Sequence, residues 1–66
     1  MNERQRQLAA LRTGYQINVK YERAAMATYD RVGRDSCLQT AMLHRAQGRA
    51  KLIRIRTLEE QEGEAK

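Results

Sequence analysis

Proline is absent from these 66 residues, as are tryptophan and phenylalanine, and cysteine and histidine occur once each. Without proline, no position forces a helix to kink or stop. A single cysteine, Cys37, excludes an intrachain disulfide. One cysteine with one histidine, His44, leaves no expected metal site. The missing Trp and Phe remove the side chains that anchor a basic amphipathic helix in a membrane interface. No run of about 18 apolar residues exists to span a membrane. Residues 1–7 are polar and lead into no secretory apolar core, so the expected place is the cytoplasm, with Cys37 reduced. Glycine is scarce, and its four positions, 14, 33, 48 and 63, are too isolated for a phosphate loop.

The one cluster of turn-forming residues is Val32-Gly33-Arg34-Asp35-Ser36, at the midpoint. Glycine ends a helix by taking positive φ without a Cβ penalty, and Asp or Ser caps the next one. This predicts an all-α fold, an antiparallel two-helix hairpin with helices at about 3–32 and 36–60. One domain spans residues 1–66, with an acidic flexible tail from about residue 60. A chain this short usually needs a disulfide, a metal or a partner to complete its core. With the first two excluded, the hairpin is expected to oligomerise, as dimer or higher, into a helical bundle.

In the first half, Leu8, Leu11, Val19, Glu22, Met26 and Tyr29 all fall within about 40° of Tyr15 on a helical wheel. A second stripe, Ile17-Tyr21-Ala24-Thr28, lies well off the first and is a candidate oligomer or partner interface. In the second half the apolar arc, centred on Leu52, holds Leu38, Ala41, Gly48 and Ile55. The predicted hairpin core is therefore Leu8, Leu11, Tyr15, Val19, Met26 and Tyr29 against Leu38, Ala41, Gly48, Leu52 and Ile55. Folding at Gly33-Arg34 pairs Tyr29 with Ala41 and Met26 with Leu43 or His44. It sets Tyr15 and Val19 against Leu52 and Ile55, and Glu22 against Gly48. Glu22 then forms an inward ion pair with Arg45 and Arg49 that fixes register.

Charge is unevenly spread. Residues 1–58 hold twelve Lys/Arg and four Asp/Glu, a net of +8, and residues 59–66 carry −3. A basic body suggests an anionic partner. Arg45, Arg49 and Arg56 form one ridge, and Lys20 and Arg23 add to it from the first helix. Guanidinium groups bind phosphate through paired hydrogen bonds. Catalysis has little to stand on. Cys37 and His44 lie about 10 Å apart along one helix, and no carboxylate pair is placed for acid–base work. The expectation is no enzyme, no cofactor and no metal. The expected protein is a small basic homo-oligomer that binds nucleic acid or a nucleotide. The alternative is a phage- or plasmid-type accessory protein that inhibits or bridges a host protein.

Two local resemblances add readings. Tyr15-Gln16-Ile17-Asn18-Val19-Lys20-Tyr21 alternates apolar and polar residues, and resembles the DNA-reading strand of the Arc/Mnt ribbon-helix-helix repressors. That resemblance implies a strand paired across a dimer, with Gln16, Asn18 and Lys20 facing the major groove. In the helical reading those three are ordinary surface residues. Cys37-Leu38, Ala41, Gly48 and Leu52-Ile53-Arg54 look like the second helix of phage proteins that sequester cyclic nucleotides. That family forms oligomers and binds nucleotides between subunits.

Overall fold

A computed structural model describes residues 2–64, and the side chains of all of these except Glu62 and Glu64. Two helices account for nearly all of it: α1, Glu3–Val32, and α2, Asp35–Glu64. They lie antiparallel along their length, and no strand occurs among the described residues.

Each helix end follows from local chemistry. At the start of α1, Asn2 Oδ1 accepts the Gln5 N–H at 2.8 Å, and Gln5 Oε1 accepts the Asn2 N–H at 3.3 Å. This reciprocal box satisfies two donors that the first turn leaves free. At its end Gly33 adopts φ 69° and ψ 19°, and its N–H bonds the Tyr29 carbonyl at 2.7 Å. That left-handed cap is the conformation glycine takes most cheaply. Only Gly33 and Arg34 separate the helices. Asp35 enters the first turn of α2 itself, where its charge complements the helix dipole.

The expected first helix holds over its whole length, and residues 15–21 lie within it rather than in the strand that the repressor resemblance implies. Their alternation is short, and the 3–4 spacing of the flanking apolar residues extends over the whole helix. The second helix does not stop near residue 60 but continues to Glu64. Glu59, Glu60 and Gln61 are good helix formers. Leu58 is buried, and Glu59 pairs with Arg12 at 3.2 Å, holding the segment against α1. The part of the acidic tail beyond Glu64 lies outside the described residues.

The apolar core sits at the open end. Leu8, Ile55 and Leu58 are buried together, with Leu11 and Tyr15 packed against them. Ala41 is buried nearer the turn. Gly48 is also buried, while Val19, Met26, Tyr29, Leu38 and Leu52 are half-buried. Leu43, expected opposite Met26, is 55% exposed. The contact face of α2 is rotated away from the expected centre at Leu52, toward Gly48, Ile55 and Leu58. The register is shifted as well. A Cβ on Gly48 would lie 3.4 Å from Asn18 Cβ and 3.6 Å from a Tyr15 ring carbon. Gly48 therefore faces Asn18 and Tyr15, about one turn before Glu22.

Candidate functional site

On one broad side of the hairpin, residues one turn apart on each helix line a shallow groove. Tyr15, Val19, Glu22 and Arg23 come from α1, and His44, Arg45, Gly48, Arg49 and Leu52 from α2. Its volume is about 320 Å³. Gly48 lets Tyr15 lie close to the α2 backbone. Tyr15, Val19 and Leu52 give the groove apolar walls, and three guanidinium groups stand around it against one carboxylate.

Glu22 Oε1 accepts from Arg45 Nε at 3.4 Å. The pair is not the inward lock expected from the sequence. The Arg45 side chain is 67% exposed and Glu22 24%. The rotation of α2 that buries Gly48 and Ile55 carries Arg45 and Arg49 to the rim. Such a pair contributes little to stability, but it orients Arg45 across the groove. Of the five basic candidates, Arg23, Arg45 and Arg49 share this groove, whereas Lys20 and Arg56 are exposed elsewhere. Ile17, Tyr21 and Ala24 are all exposed. A wider hollow of about 550 Å³ at the open end is lined by Arg4, Arg54 and Glu3, among others.

A polar cluster that sequence reasoning did not find runs from the buried interface behind the groove toward the opposite side of the hairpin. Asn18, expected on the surface, is only 3% exposed. Lys51 Nζ donates to its Oδ1. A lysine ammonium can only donate, so the Asn18 oxygen must face it. The Asn18 amide nitrogen then donates to Gln47 Oε1 at 3.0 Å and meets His44 Nδ1 at 3.0 Å. In this contact His44 Nδ1 takes the acceptor role. Tyr21 stacks on the His44 ring, centroids 5.3 Å apart. Lys51 reaches Asn18 by lying over Gly14, where a Cβ would stand 3.3 Å from its Cδ and Cε.

The signal for this cluster was the row His44, Gln47, Lys51. Polar residues three and four apart share one helix face, here the face beside the core. His44 belongs both to this network and to the groove lining, and Cys37 is half-buried on the same helix. No protein-family model, no curated protein and no solved structure matches the chain.

Proposed function

We propose that the chain is a small, non-enzymatic basic protein that binds a phosphate-bearing partner, a nucleotide or nucleic acid, as a homo-oligomer. The observation that carries this reading is the convergence of Arg23, Arg45 and Arg49 on one groove beside Tyr15. Guanidinium groups grip phosphate oxygens in pairs, and an aromatic ring with apolar walls offers a base a surface to stack on. The groove, at about 320 Å³, is at the small end of ligand-site volumes. It suits one nucleotide unit, either free or within a strand. Glu22 competes with the incoming anion for Arg45 and so keeps the arginine in place while the groove is empty.

The test is a set of titrations at several salt concentrations, with a cyclic dinucleotide, single-stranded RNA and duplex DNA as separate arms. The expected result is binding in at least one arm that weakens as salt rises. The double variant Arg45→Gln/Arg49→Gln should lose at least about tenfold in affinity, since each hydrogen bond to a charged group contributes roughly 1.5–3 kcal/mol. Absence of salt-sensitive binding in all three arms overturns the reading.

A further inference from the structure

Both helices carry a second seam on the side of the hairpin away from the arginine groove. On α1 it runs Ala10, Gly14, Ile17, Tyr21, Ala24, Thr28, alternating steps of four and three with no charge in it. On α2 the same alternation runs Thr40, Leu43, Gln47, Ala50, Arg54, with one charge near the open end. Steps of three and four keep residues on one stripe of a helix. Contacts across the hairpin put both stripes on the same broad face: Tyr21 stacks on His44, Asn18 reaches Gln47, and Lys51 lies over Gly14.

The face is more apolar than its composition suggests. The hydroxyls of Thr28 and Thr40 bond back to the carbonyls of Ala24 and Ser36, at 3.0 and 2.9 Å. What these threonines offer outward is a methyl group. Ile17, Tyr21 and Leu43 stand on the face at 47%, 54% and 55% exposure. Lys51, the charge at its centre, is already engaged by Asn18.

We propose that a second copy of this chain docks on this face, as a symmetric pair of hairpins forming a four-helix bundle. The proposal deepens the homo-oligomeric part of the reading above and is independent of anion binding. Three observations select a second copy as the occupant. First, the chain carries a net charge of +5, and Arg23, Arg45 and Arg49 stand on the opposite side, so two copies repel less across this face, where Lys51 and Arg54 are the cations. An acidic partner would choose the arginine side instead. Second, the hairpin measures 51 × 18 × 12 Å, so its broad face has a footprint of about 900 Å². Each partner in a stable complex contributes about 800 Å². Third, the buried hydrophobic residues among those described are only Leu8, Ala41, Ile55 and Leu58, too few for a chain of this size to stand alone. Small exposed residues at Ala10, Ala24 and Ala50 let the helices of two copies approach closely. A symmetric pair buries the same patch on both partners.

The test measures mass in solution by light scattering, with helicity by circular dichroism on the same samples. The wild-type chain is expected at twice its 7.7 kDa. Ile17→Lys/Leu43→Lys should drop to the mass of one chain, or lose helicity and dimer together. Met42→Lys alters a residue that is as exposed, 59%, but a third of a turn round α2 from the seam. It should keep the dimer mass. Arg45→Gln/Arg49→Gln should keep it too, which separates this proposal from the groove reading. A wild-type chain of single mass at millimolar concentration overturns the proposal. So does a double-lysine variant that keeps the dimer, or a Met42→Lys variant that loses it.

Discussion

At the open end of the hairpin, Leu8 meets Ile55 and Leu58 in an apolar contact, with Leu11 and Tyr15 packed against it. Midway along, at the same interface, Asn18 is as deeply buried but is held by Lys51, Gln47 and His44. The first region is insensitive to exact alignment, because apolar groups gain by burial in any arrangement that fills space. The second tolerates one alignment only. Each hydrogen bond of Asn18 has a single partner, and a shift of one residue would leave a buried amide unpaired. The open end thus supplies stability and the middle supplies register. The groove depends on the second, since Arg23 from α1 faces Arg45 and Arg49 from α2 only when the helices are correctly aligned.

The largest effect is expected at the open end. Leu58→Ala removes one of three buried side chains from a cluster with little room to repack. Its cost should be about 2–4 kcal/mol, within the range for Leu→Ala in cores. Urea denaturation followed by circular dichroism measures it. A loss below about 1 kcal/mol would mean that this end does not dominate stability.

A smaller effect of opposite sign is expected in the middle, at Gly48. An added Cβ there would meet Asn18 Cβ at 3.4 Å and the Tyr15 ring at 3.6 Å. These distances lie at the short edge of ordinary contact, so Ala fits without moving the helices apart. The backbone term then decides the outcome, because Ala exceeds Gly in a helix interior by about 0.8–1 kcal/mol. Gly48→Ala should therefore raise the melting temperature. A lowered one would show that the middle is held by a closer approach than these contacts imply.

The difference between the two regions also explains what was legible in the sequence. The turn was legible because Asp35 and Ser36 follow closely on Gly33 at the midpoint, and its φ of 69° is the conformation it was expected to take. The seam of α1 was legible because Leu8, Leu11, Tyr15 and Val19 repeat over many turns. The facing arc of α2 was misplaced because its apolar residues lie on several sides. Met42, Leu43 and Ile53 are all more than half exposed, so apolar character alone does not mark the buried face of this helix. Leu58 escaped notice because it adjoins the glutamates of the tail. Asn18 was hidden for a different reason. A polar residue beside a seam reads as surface unless its partners on the other helix are known. Those partners follow from register, and register was misjudged by about one turn. The same shift moved Arg45 and Arg49 from the interface to the rim of a groove, so their convergence with Arg23 could not be read from either helix alone.

The smallest change in stability, and the sharpest test of the division between regions, is expected for Asn18→Leu. Leucine is close to asparagine in size and belongs in an interface. It forfeits the Asn18 hydrogen bonds but gains apolar burial. In a single hairpin Gln47 is exposed, and His44 and Lys51 are half-buried near the surface, so all three can turn outward there. The net effect should fall within about 1 kcal/mol, as when buried polar groups are replaced by apolar ones of similar shape. Alignment should suffer instead. With leucine at position 18, slipped pairings of α1 on α2 bury comparable area, and nothing at the middle opposes them. Amide NMR spectra should then show broadened or doubled peaks around Gly14 and Lys51, while those of Leu8 and Ile55 stay sharp. If Asn18→Leu leaves a single sharp set of resonances, register is set by the apolar end after all. The polar cluster would then be a consequence of alignment rather than its cause.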